Sequence, residues 1–176
     1  MSDRLGLKHG IVCGISLLAI VFICSMDLIA QSSDYHEFAD TRTILQVPNF
    51  WNVISNLPFL MIGLSGMFCF FKPVKHQGKD DLSVNRLVFF IGIFLTGIGS
   101  SYYHLHPDNA SLLWDRLPMT IAFTAFFSLV LGEFISVRAG QRSLFPLVLL
   151  GIIALVYWRM TAERGMEDLR FYVLIQ

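Results

Sequence analysis

Charge is scarce in this chain: only 15% of its 176 residues are Asp, Glu, Lys or Arg, and the formal net charge is zero. The net charge itself says nothing about partners; no nucleic-acid partner is expected. Cysteine is equally sparse. Cys13, Cys24 and Cys69 all lie inside apolar runs, so they read as buried small hydrophobes rather than a disulfide framework, and they leave the redox compartment open. The chain also lacks internal repeats, low-complexity tracts and long linkers, which leaves a single domain over 1–176. What it has in quantity is apolar character: 55% hydrophobic residues, 14% aromatic, and a mean hydropathy of +0.61. Those values exclude a soluble globular domain and point to an integral membrane protein with the bilayer as its surroundings.

A bilayer-spanning helix needs roughly 20 mostly apolar residues. Residues 10–30, 51–71, 86–105 and 112–134 meet that length, and 144–158 falls a little short but can span if Arg142 and Arg159 snorkel. The expected fold class is therefore all-α, a polytopic transmembrane helix bundle of about five spans. A sixth apolar helix starts at Phe171 and the chain stops at Gln176, so the tail is expected either to lie in the interface or to belong to a truncated version of a longer protein. The first span reads as uncleaved, because Leu28 occupies the position where a signal peptidase wants a small residue. Arg4 and Lys8 precede it, Lys72, Lys75, Lys79 and Arg86 surround the second loop, and Arg138 and Arg142 follow the fourth span. Positively charged loops stay inside, which predicts a cytoplasmic amino terminus, against which only Arg159, Arg164 and Arg170 stand.

Polar residues in such a chain carry the functional signal. The run GIGSSYYHLHPDNASLLWDRLPM, residues 97–119, places Ser100, His104 and Asp115 where two spans meet. Ser100 and His104 are one helical turn apart and share a face with Gly92 and Thr96, which predicts that they point into the bundle. Pro107 should end that helix, Asn109 or Ser111 should cap the next, and Asp115 should lie in its first turn, near the outer surface. Each of the three has a plainer explanation in packing, interfacial hydration or helix-start stabilisation. One His and one Asp do not make a zinc site, which takes three protein ligands in hydrolytic enzymes. Between residues 31 and 50, Asp34, Glu37 and Asp40, with Asn49 and Asn52, supply the oxygen ligands calcium selects, although no compact calcium-loop pattern is present. His36 reads as a surface residue, His106 as a nearby alternative ligand, and Asn52, Ser55 and Asn56 as hydrogen-bonding partners of neighbouring helices.

Three ordered motifs, NFWNVISNLPF from Asn49, GIGSSYYH from Gly97 and DRLPM from Asp115, resemble those of the alkaline ceramidases, integral membrane amidases, and most closely their bacterial branch. The resemblance covers 34–176, leaving the span at 10–30 as an addition. It implies a seven-helix bundle that holds zinc through three histidines and hydrolyses ceramide or a related lipid amide. Zinc ligation falls on His104, the catalytic supporting positions on Ser100 and Asp115, and a calcium site on Asp34, Glu37 and Asn49, where Asn49 replaces an acid of the eukaryotic pattern. The family's other two zinc ligands form an HxxxH motif, and no histidine follows His106 here. The expectation is thus a zinc-dependent amidase missing two ligands, in a bacterial inner membrane with its site near the outer face. The alternative is a non-catalytic truncated relative that binds lipid or acts as a receptor.

Overall fold

Helices dominate the computed structural model, which describes residues 2–70 and 82–176, and no β-strand occurs among them beyond an isolated pairing of Ile44 with Val47. In chain order they are α1 (Ser2–Ser25), α2 (Phe50–Ile54), α3 (Leu57–Phe70), α4 (Ser83–Leu105), α5 (Asn109–Phe134), α6 (Val137–Glu163) and α7 (Arg170–Ile175). Counting α2 and α3 together, five stretches among the described residues are long and apolar enough to cross a membrane. The break between α2 and α3 falls before Pro58, whose ring nitrogen cannot donate to a preceding turn.

The span boundaries depart from the sequence expectation in an instructive way. The fifth span, expected at 144–158, is 27 residues long, because Arg138, Gln141 and Arg142 at one end and Arg159 and Glu163 at the other stay helical. Hydropathy marks only the stretch in the hydrocarbon, whereas helix continues through the headgroup zone. The first helix conversely stops at Ser25, so residues expected in the span begin the following loop. Residue 71 and the loop lysines 72, 75 and 79 lie outside the described residues.

The chain threads back and forth: Lys8 donates to the carbonyl of Phe134 (2.7 Å), so the amino end of α1 meets the carboxyl end of α5. At the opposite end, Tyr103, Leu112, Leu155, Trp158, Leu169 and Tyr172 form the buried core, with Ile29 and Phe38 from the 26–49 loop against it. The tail folds onto this core. Leu169 N–H donates to Ile29 O (2.9 Å) and Gln176 reaches Thr120 (3.3 Å). The cysteines correct the sequence expectation, since Cys13, Cys24 and Cys69 are all exposed on the bundle's outer surface. In a bilayer an apolar residue has no need of burial in protein, so an apolar run does not mark the core.

Two glycines bring α4 onto α5. A Cβ at Gly92 would lie 2.7 Å from the backbone nitrogen of Ala122, and one at Gly99 would overlap the Trp114 carbonyl oxygen. Pro118, within α5, removes the N–H that would have satisfied that carbonyl. The side-chain-free backbone of Gly99 packs over it instead, and this fixes the turn that carries Asp115.

Candidate active site at the α4–α5 hairpin

The hairpin is tied by a reciprocal cap. Ser111 N–H donates to Asp108 Oδ1 (2.6 Å) and Asp108 N–H donates to Ser111 Oγ (3.1 Å). The Ser111 amide holds the Asp108 carboxyl below its usual range. Asp108, rather than Asn109 or Ser111, is thus the cap, and the helix begins at Asn109. Asp115 accordingly lies in the second turn and not the first, beyond the strongest reach of the helix dipole. Pro107 ends α4 as expected, with His106 as the terminal cap.

Ser100 and Asp115 meet. Both are more than nine-tenths buried, their side chains interact, and both line one cavity of about 560 Å³. Its other walls are Tyr35, Phe59, Phe89, Ile93, Thr96, Met119, Ala122, Phe123 and Phe126. From Ser100 down to Phe89 this seam runs about 16 Å along α4, at 1.5 Å per residue. The Phe89 and Phe126 rings, 5.8 Å apart, mark the far end. His104 stands one turn beyond Ser100, off the cavity wall, its ring packed on Phe38 (4.6 Å) and Tyr103 (5.3 Å).

The loop over this end holds groups that the sequence reading placed elsewhere. His36 is not a free surface residue: its nitrogens contact the Tyr103 hydroxyl (2.9 Å) and Asn109 Oδ1 (3.0 Å). Asn49 donates to the His104 carbonyl (2.8 Å), so its amide steadies the end of α4. Asp40 accepts from Trp51 N–H (3.1 Å) at the start of α2, and its carboxyl is held low by Arg42. Asn52, Ser55 and Asn56 bond within their own segment or to the Asp40 carbonyl, not to neighbouring helices. Asp34 and Glu37 are exposed and join no group of three metal-capable His, Cys, Asp or Glu side chains among the described residues. His106 is exposed, with its ring against Tyr102.

Sequence reasoning passed over Arg116. It is buried, and its guanidinium sits among the rings of Trp158 (4.6 Å), Tyr172 (4.9 Å) and Tyr35 (5.5 Å), while Nη2 donates to Gln31 Oε1. Cation–π contact with three rings stabilises a charge that burial would otherwise penalise. The signal available beforehand was spacing: Arg116, Thr120, Thr124, Ser128 and Gly132 recur every four residues and all are buried. The Thr and Ser hydroxyls on this stripe donate to carbonyls of their own helix, as hydrocarbon surroundings require.

Buried side-chain atoms without a partner include His104 Nδ1 and Asp115 Oδ1. A ring nitrogen and a carboxylate oxygen are each donor types that zinc takes. No group of three metal-capable His, Cys, Asp or Glu side chains occurs among the described residues.

These features define a multi-pass helical membrane protein with a serine–carboxylate pair at the end of a lipid-sized apolar cavity. The Ceramidase family model matches residues 40–175, and the chain belongs to that family; α1 lies outside the match. No curated protein and no solved structure matches the chain.

Proposed function

We propose that the protein takes a lipid amide of the ceramide class into the α4–α5 cavity and hydrolyses its amide bond at Ser100 and Asp115. The observation that carries this reading is the buried pair itself, set in a mostly aromatic and aliphatic cavity in a chain of the Ceramidase family. An apolar channel suits an acyl chain, and a carboxylate at its end is costly unless it is used.

In this reading Asp115 takes a proton from the water that attacks the amide carbon, and Ser100 donates a hydrogen bond to the oxygen that becomes negative. A C–O bond forms and the C–N bond breaks. Asp115 returns the proton to the departing amine, leaving a fatty acid. Zinc, when bound, polarises a carbonyl and acidifies water. His104 Nδ1, a buried ring nitrogen without a partner among the described residues, is the atom here that would hold it.

The partial donor set favours a second reading, in which the same cavity holds the lipid without cleaving it. Fatty-acid release, ceramide binding and zinc content of the purified protein separate the two. Hydrolysis predicts release that needs zinc and falls about a hundredfold or more in Asp115→Asn and His104→Ala. Ceramide binding with no release at any zinc concentration selects the second reading, and absence of ceramide binding removes both.

A further inference from the structure

Four polar side chains stand in the cavity wall: Tyr35, Thr96, Ser100 and Asp115. The Thr96 hydroxyl is satisfied within its own helix, donating to the Gly92 carbonyl at 2.9 Å. Ser100 and Asp115 interact with one another. The Tyr35 side chain is half-exposed and its hydroxyl has no hydrogen-bond partner among the described residues, while Asp115 keeps one carboxylate oxygen, Oδ1, without a partner there.

The rest of Tyr35 is held firmly. The Arg116 guanidinium lies 5.5 Å from its ring centroid, the Tyr103 ring stacks at 6.4 Å with a 28° tilt, and the His36 ring meets its edge at 6.3 Å. Its backbone is tied as well: the carbonyl accepts from the Tyr103 hydroxyl (3.3 Å) and the N–H donates to Ser32 O (3.2 Å). Fixing a ring in advance removes an ordering cost from ligand binding. A clamped phenol with its donor unspent on a cavity wall is how a preorganised polar contact is built.

Position decides what that contact touches. Through Tyr103 and Arg116, Tyr35 belongs to the end of the cavity that holds Ser100 and Asp115, opposite the Phe89–Phe126 end. We infer that Tyr35 is a specificity-determining residue whose hydroxyl hydrogen-bonds the hydroxyl-bearing head of the lipid, beside the amide. The acyl chain then runs toward Phe89 and Phe126. This inference rests on the lipid-amide reading of the cavity.

The test compares two lipids of equal acyl length: ceramide, and an N-alkyl fatty amide that has no head hydroxyls. Each displaces a fluorescent ceramide from the full-length protein, wild type or Tyr35→Phe, and fatty-acid release is followed in parallel. Tyr35→Phe removes one oxygen and leaves the ring and its clamps in place. It should weaken ceramide about tenfold, the size of one lost hydrogen bond to a substrate hydroxyl, and leave the hydroxyl-free amide within about twofold. Equal weakening of both lipids, or unchanged ceramide affinity, overturns the assignment. Displacement needs no turnover, so a protein that binds ceramide but releases no acid refutes hydrolysis while the two affinities still decide the role of Tyr35.

Discussion

α1 and α5 are both apolar enough to cross a bilayer, yet they are built on opposite plans. Among residues 6–25 of α1 only Ile23 is buried, and the large side chains Leu7, Ile11, Ile15, Leu18 and Phe22 all face outward. In α5 the buried residues other than Leu112 are small or polar, Asp115, Arg116, Thr120, Thr124, Ser128 and Gly132 among them, while Trp114, Phe127 and Phe134 face outward. Hydrophobicity therefore places a helix in the membrane but does not place it in the bundle. Lipid is as apolar as leucine, so what holds α5 is close backbone approach and satisfied polar groups.

The largest expected effect comes from adding one methyl group to each helix system. At Gly99 a Cβ would overlap the backbone carbonyl of Trp114, which cannot move aside as a flexible side chain would. Gly99→Ala should cost about 3 kcal/mol, the upper part of the range for overpacking, and should displace Asp115 with the turn that bears it. Gly10, on α1, has nothing within 4 Å of its Cβ position. Gly10→Ala should be neutral or stabilise by about 0.5 kcal/mol through lower backbone entropy in the unfolded chain. Thermal unfolding in detergent micelles measures both, and similar losses at the two positions would erase the distinction drawn between the helices.

A middle-sized effect belongs to the segment joining α6 to α7. Asp168 is almost fully buried, accepts from Tyr157 (2.9 Å), and takes two hydrogen bonds from the Arg170 guanidinium (2.9 Å each). The Arg170 contact holds the Asp168 carboxyl below the usual carboxylate range. A carboxyl with a depressed folded-state value stabilises the fold above its unfolded value, and this contribution is lost as pH falls through the folded one. Acidification below about pH 4 should therefore loosen α7 from the bundle in the wild type. Asp168→Asn should lower the apparent Tm by about 5 °C at neutral pH and flatten this acid dependence. An acid dependence unchanged in Asp168→Asn would assign it to another carboxylate.

Much of this architecture was legible in the sequence, and the limits follow from how the information is encoded. Spans, hairpin and the Ser100–Asp115 meeting came from local signals: hydropathy, Pro107 and four-residue spacing. The helical ends at Val137 and Glu163 did not, because arginines that reach the headgroups keep helical backbone while breaking the apolar run. His36, Asn49 and Tyr35 were misplaced or passed over because their partners lie far along the chain, at Tyr103, Asn109, His104 and Arg116. No periodicity in a loop reports such pairings. Calcium ligation by Asp34, Glu37 and Asn49 came from the family resemblance; in the structure the Asn49 amide donates to the His104 carbonyl.

The smallest effect is expected at the cysteines, and it makes the orientation measurable. Cys13, Cys24 and Cys69 are exposed on the outer surface of the bundle, so replacing all three by alanine removes no buried packing and should change stability by less than about 0.5 kcal/mol. In that background Ala110→Cys, at the start of α5, and Arg138→Cys, at the start of α6 just past the far end of α5, each add one thiol at an exposed position. The concentration of Lys and Arg before the first span and after the fourth predicts a cytoplasmic Arg138 and an external Ala110. A membrane-impermeant maleimide applied to intact cells should then label Ala110→Cys at once and Arg138→Cys only after permeabilisation. The reverse pattern would put the cavity's polar end, with Ser100, Asp115 and Tyr35, at the cytoplasmic face. The geometry of the site would survive that result, but the lipid leaflet from which it draws its substrate would change.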